Sequence, residues 1–300
     1  MKDARADVGS VSIAADRRSS VVGDYLALTK PRLNLLVVAT SAAGYYLGAP
    51  LVRVLPMTAA VAGTALVAGG AAVLNQVYER DTDALMRRTR TRPLPDHRVT
   101  HGDAQRFGIL LASAGIVCLM LLANVLAAAL ALITIVVYLF VYTPMKRRSS
   151  AATLVGAVPG ALPPLIGWAA AHGTLSIGGL ALFAIVFLWQ IPHFMAIAWL
   201  YRDDYRQAGF PMLPVVEPDG RRTGRHAVIY ASVLMPVSLA PTLVGVSGWA
   251  YFWIALALGT ALIWLAARFA TSRSDAAARR LFFGSIIYLP LIWASMIVFH

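Results

Sequence analysis

The chain has 300 residues, 59% of them hydrophobic and only 13% charged, with a mean hydropathy of +0.68. That excludes an ordinary water-soluble domain and implies a polytopic membrane protein. The net charge of +12 is spread over short loops rather than gathered in one domain, so no nucleic-acid partner is expected.

Residues 1–24 carry mixed charge and no apolar h-region, and read as a disordered cytoplasmic tail rather than a signal peptide. A single transmembrane domain follows over 25–300. Stretches of about 20 apolar residues predict nine spans, near 29–49, 55–77, 105–123, 125–142, 152–171, 177–200, 226–246, 249–270 and 281–299. The expected fold class is therefore all-α, a helical bundle in the lipid bilayer. The third and fourth spans run together around Asn124, and merging them gives eight.

Charge favours nine. With a cytoplasmic N-terminus, the outer loops hold one basic residue, Arg53, and no acid. The cytoplasmic segments then hold the other 25 of 26 Lys and Arg and all 14 Asp and Glu. Eight spans would place Lys146-Arg147-Arg148 opposite the 87–98 loop, against the positive-inside rule. The expected topology has the C-terminus on the outer side and the long loops 78–104 and 201–225 on the cytoplasmic face.

Small residues recur in the spans, as in Ala59-Ala60-Val61-Ala62-Gly63 and Gly69-Gly70-Ala71-Ala72, and permit close helix approach. The lone Cys118 reads as a core residue and excludes an internal disulfide.

Two acidic clusters end the second and sixth spans, a spacing that hints at a pseudo-repeat. In the first, Asn75, Glu79 and Asp83 stand at i, i+4 and i+8, one stripe if the helix runs past its apolar stretch, with Asp81 off that stripe. Carboxylates at a membrane boundary are seldom placed idly, and such a row of oxygens suits Mg²⁺. The bland alternative is a solvated helix end whose acids pair with nearby arginines. The arginines at 87, 88, 90 and 92 tip the balance, because guanidinium groups bind phosphate bidentately. In the second cluster, Asp203 and Asp204 are adjacent and point about 100° apart, so they need not serve the same ion.

In the sixth span, His193 sits beside Trp189 and Gln190, with Pro192 able to kink the helix. A lone histidine there is either a hydrogen-bonded structural residue or a ligand-binding one. His97, His101, His172, His226 and His300 read as bland, and Phe252, Trp253 and Trp264 as interface or packing aromatics.

Five blocks in order resemble the UbiA superfamily of intramembrane prenyltransferases. They are Asn75-x3-Glu79-x3-Asp83 with Arg88-Thr89-x2-Arg92-Pro93-Leu94; Tyr142-Thr143-Pro144-Met145-Lys146-Arg147-Arg148; Gly156-x3-Gly160-Ala161-x-Pro163-Pro164-Leu165-x-Gly167-Trp168; Trp189-Gln190-x-Pro192-His193-Phe194; and Tyr201-x-Asp203-Asp204-Tyr205-x3-Gly209-x-Pro211-Met212-Leu213-Pro214. They span residues 25–215. The superfamily usually has Asp at the positions of Gln76 and Glu79 and a further acid near Tyr205 or Gln207. These departures match the branch that farnesylates haem.

The resemblance implies transfer of farnesyl from farnesyl diphosphate to a vinyl group of haem B, with Mg²⁺ as cofactor and a haem A synthase as a partner. It implies Asn75, Glu79, Asp83, Asp203 and Asp204 as catalytic residues, the four acids as metal ligands, Arg88, Arg92, Lys146 and Arg147 on the diphosphate, and Trp189, Gln190 and His193 at the haem. One rival is a UbiA-type enzyme acting on an aromatic quinone precursor. A transporter is the other, but it would place ionisable groups near the midplane, whereas here the acids fall at helix ends or beyond.

Overall fold

The structure, a computed structural model, describes residues 20–300; most of the expected tail lies outside them. Its last residues are helical. Ser20 caps α1 (Val21–Leu28), its hydroxyl accepting from the Gly23 amide at 3.1 Å. Lys30 then turns the chain in a left-handed conformation (φ 51°), and Pro31 starts α2 (Pro31–Gly48), where its missing N–H is no loss.

Eleven further α-helical segments follow. They are α3 (Val54–Leu85), α4 (His101–Leu122), α5 (Val125–Val136), α6 (Thr143–Met145), α7 (Ala152–His172), α8 (Ile177–Leu200), α9 (Arg202–Gln207), α10 (Leu213–Val216), α11 (Arg221–Leu243), α12 (Trp249–Ser272) and α13 (Asp275–Val298). A π-helical stretch, Val137–Tyr142, joins α5 to α6. Among the described residues eight helices are long and apolar enough to cross a membrane, counting Val125–Met145 as one.

The predicted first span, α2, is not among those eight. It is 18 residues long but carries Asn34, Thr40 and Ser41. These face protein rather than lipid: Thr40 and Ser41 are buried, and the Ser41 hydroxyl lies 3.2 Å from that of Thr64. α2 still runs the length of the bundle, from Lys30 near the acidic end of α3 to Tyr46, whose ring lies 5.7 Å from that of His300, tilted 56°, at the other end. The separation of the third and fourth spans is real. Asn124 caps α5 by accepting from the Ala127 amide at 2.9 Å, and its own amide donates to the Ala169 carbonyl at 2.7 Å.

Small residues set the helix spacing. On α3 and α4, Gly63 meets Leu119 and the Gly115 carbonyl, and Gly70 meets Ala112 and the Gly108 carbonyl. On α2 and α7, Gly44 lies against the backbone of Pro164 and Gly167 against that of Ser41. Such close approach brings van der Waals packing where water offers no hydrophobic drive.

The functional consequence comes from length. α3 has 32 residues, about 48 Å at 1.5 Å per residue, against a hydrocarbon core of about 30 Å. The helix is thus longer than the core is thick, and its last turns carry the first acidic cluster. There the two long loops pack on each other through Met86, Ala208 and Phe210, with Tyr205 and Met212 alongside.

Candidate active site

A cavity of about 520 Å³ opens between α2, α3, the π-helical stretch, α7 and α8, roofed by the two long loops. Its polar end is built on α3. Helical spacing puts Asn75, Glu79 and Asp83 on the inner face, 2%, 4% and 1% exposed, while the side chain of Asp81 points out. Asn75 donates to the Thr143 hydroxyl at 3.1 Å, and Thr143 donates in turn to the Tyr138 carbonyl at 2.7 Å. The π-helical turn thus fixes the head of the acidic stripe. It also stacks Tyr138 on Tyr142, centroids 5.5 Å apart, along the cavity wall.

Each inward acid rests on a cation. Glu79 pairs with Lys146, whose ammonium sits 5.4 Å from both the Tyr142 and Phe210 ring centroids. Beyond that ion pair, Glu79 Oε1 accepts no hydrogen bond. Asp83 Oδ2 accepts from Arg92 at 2.7 Å. Arg88 lies between Tyr201 and Tyr205, 5.4 Å from each ring, and donates to the Tyr205 hydroxyl at 3.2 Å. That hydroxyl is pushed above its ordinary range by burial, against the pull of Arg88.

The second cluster is placed differently. Tyr205 lines the cavity, so Asp203, two residues earlier on α9, falls about 160° away around the helix. It is largely exposed and accepts from Arg206 at 2.6 Å. Asp204 also lies outside the lining, and no group of three or more His, Cys, Asp or Glu side chains suited to a metal gathers among the described residues. Arg147 is outside as well, over the Tyr78 ring and donating to its carbonyl at 3.5 Å.

Away from the acids the lining is mostly apolar, and Gln190, His193 and Phe194 of α8 are part of it. The Gln190 amide donates to the Ala157 and Val186 carbonyls, both at 3.1 Å. His193 is clamped between Trp189 and Phe282, centroids 5.0 and 5.1 Å away. Trp189 does not line the cavity; its indole N–H donates to the Ser285 carbonyl at 2.7 Å. The Ser285 hydroxyl donates to the Phe282 carbonyl at 2.7 Å and lies 2.8 Å from His193 Nδ1. A hydroxyl has one proton, so Ser285 accepts from Nδ1–H. Nε2 is then the unprotonated nitrogen of a ring that lines the cavity.

Sequence reasoning missed Lys30. It lines the cavity from the turn between α1 and α2, outside the spanning helices. Burial lowers its ammonium from the usual range to about 7, with Arg92 and Lys146 adding to the effect. Its only local signal was a lysine before Pro31. Ser285 and Phe282 were missed too, because α13 meets α8 only in three dimensions.

The fold and the cavity define an intramembrane prenyltransferase class. A family model, the UbiA prenyltransferase family, matches residues 36–288, and the chain belongs to that family. It is a multi-pass membrane protein. Among its relatives, the protoheme IX farnesyltransferase of Solibacter usitatus is 47% identical over 92% of this chain and 98% of its own length. That of Koribacter versatilis is 46% identical over 93% and 94%. Two solved structures share the fold at 16% identity. A digeranylgeranylglyceryl phosphate synthase has a TM-score of 0.79 over 92% of this chain and 97% of its own. A UbiA homolog from Archaeoglobus fulgidus bound to GPP and Mg²⁺ has 0.66 over 91% and 99%.

Proposed function

We propose that this chain transfers farnesyl from farnesyl diphosphate to a vinyl group of haem B, giving haem O and diphosphate. The observation that carries the reading is one cavity with two unlike parts: a cation-and-carboxylate end for a metal-bound diphosphate, and a mostly apolar lining that includes the imidazole of His193. The relatives' names supply the acceptor. We place the cavity's polar end on the cytoplasmic face of a bacterial inner membrane, where the positive-inside rule puts the basic loops.

The donor set fits Mg²⁺. Glu79 and Asp83 offer hard carboxylate oxygens one turn apart, and such an ion takes one or two carboxylates plus phosphate oxygens. When bound, it supplies Lewis-acid charge to the departing diphosphate. The family resemblance adds Asp203 and Asp204 as ligands from the second loop; both lie outside the cavity lining here, so α9 must turn them inward for them to reach the ion. Glu79, Asp83 and Asp203 are each neutralised by a cation at rest. Lys146 and Arg92 exchange these carboxylates for diphosphate oxygens as substrate arrives, joined by Arg88, and by Arg147 from the rim. Their charge then stabilises the leaving group as the C–O bond opens. The aromatic walls, Tyr138, Tyr142 and Phe194, keep water away and offer ring faces to the allylic cation. The vinyl terminus attacks that cation, and water adds at the neighbouring carbon, losing its proton.

The test is direct. Membranes containing the chain, given farnesyl diphosphate, Mg²⁺ and haem B, should yield the hydroxyethylfarnesyl product by mass spectrometry. Prenylated 4-hydroxybenzoate in its place would establish the quinone-precursor reading.

The haem end makes its own prediction. His193→Ala should abolish the Soret shift that imidazole ligation gives added haem B, and Ser285→Ala should weaken it by freeing the ring to change tautomer. An unchanged spectrum in both would remove His193 from the haem.

Lys30 yields a pH prediction. At pH 8 its amine, with a value of about 7, is mostly neutral; a bound polyanion raises that value and recharges it. Farnesyl diphosphate binding at pH 8 should therefore take up close to one proton, seen as a buffer-dependent binding enthalpy, and Lys30→Met should remove the dependence. At pH 6, where Lys30 is already charged, the uptake should vanish.

A further inference from the structure

We propose that the turn between α12 and α13 is a binding site for the phosphate of an anionic phospholipid. A small cavity of about 100 Å³ lies there, lined by Trp264, Arg268, Ser272, Ser274, Ala277 and Arg280 among others. Its volume is about three waters' worth, the size class of a phosphate group and too small for a prenyl chain.

Geometry brings two guanidinium groups to one level. Arg268 is four residues before the end of α12 and Arg280 five after the start of α13, so both lie about 6–8 Å below the turn. Neither has an ion-pair partner among the described residues. Asp275, the nearby carboxylate, is engaged elsewhere: it accepts from Arg202 at 2.9 Å and from the Trp199 indole at 3.0 Å. Two hydroxyls complete the rim, Ser272 and Ser274, 3.3 Å apart.

The surroundings fit a lipid better than free phosphate. Trp264, one turn deeper than Arg268, is 60% exposed, and Phe283 and Ile287 continue an exposed apolar track at 59% each below Arg280. An indole at that depth suits the headgroup boundary, and unpaired arginines between membrane helices attract lipid phosphates. Through Arg202 and Asp275 the same turn is tied to the start of α9, so an occupied site would sit on the active-site side of the bundle.

The full chain in a neutral detergent should be titrated with phosphatidylglycerol, phosphatidylcholine and inorganic phosphate, with bound lipid counted by native mass spectrometry. Phosphatidylglycerol should bind at least about tenfold more tightly than phosphatidylcholine. Arg268→Gln with Arg280→Gln should remove that preference, while Arg279→Gln, which lies outside the cavity, should keep it. Farnesyl transfer in detergent should be unchanged in both variants. Single substitutions at 268 and 280 should each lose part of the preference and serve if the pair fails to fold. Equal loss in Arg279→Gln would mean diffuse surface charge, and an unaltered double variant would mean no site; either overturns the proposal. Competition by inorganic phosphate at matching concentration would make the ligand a free anion and overturn the lipid assignment.

Discussion

Asp83→Asn should lower farnesyl transfer at least about a hundredfold, the scale of removing one preorganised charge-stabilising group from an active site, while the protein still inserts and elutes as a single species. The substitution is nearly isosteric, and the amide oxygen can still accept from Arg92, so the buried contact of 2.7 Å keeps its geometry. What disappears is the negative charge. Arg92 is left without a counter-ion and the proposed cation site loses one of its two inner carboxylates. Glu79→Gln should act in the same direction, with Lys146 the cation stranded. Product formation by mass spectrometry in matched membranes decides it. Activity close to that of the unaltered chain in both variants would remove the α3 stripe from the diphosphate end.

The largest effect on stability should come from Gly167. A Cβ there would fall on the Ser41 carbonyl oxygen and within 2.8 Å of the Tyr45 amide nitrogen. Both are backbone atoms, so no rotamer change relieves the clash, and α2 and α7 must separate. Gly167→Ala should cost about 3 kcal/mol, the upper end of overpacking penalties, seen as a large fall in the unfolding midpoint in detergent. Gly173→Ala is the contrast. Nothing lies within 4 Å of a Cβ there, but its φ is +76°, so only the left-handed backbone is strained, about 1 kcal/mol. Equal midpoints for the two variants would show that the α2–α7 crossing is not the tight contact.

Much of the site was legible because it lies on one helix. Four-residue spacing at 75, 79 and 83 is a local property, and burial of those residues with Asp81 outward follows from helical geometry alone. The break at Asn124 was legible from charge, since separate spans on either side of it keep Lys146 beside the first loop.

What escaped depends on contacts between distant segments. Hydropathy placed α2 but could not show which way its polar residues turn; Thr40 and Ser41 face protein, not lipid. The inner face of α9 could not be read from adjacent aspartates; Tyr205, held by Arg88, sets it. The clamp on His193 comes from Phe282 and Ser285, some ninety residues along the chain, and no periodicity in α8 announces it. Lys30 was hidden because a single lysine before a proline carries no pattern.

The pairing of Glu79 with Lys146 has a consequence for biogenesis. The two residues are made at different times: α3 is complete long before the segment carrying Lys146 emerges, with α4 and α5 still to be inserted. The arginines at 80, 87, 88 and 92 are made first and are the earlier cations for these acids. The pair with Lys146 can form only after α4 and α5, which separate the two residues along the chain, are in place.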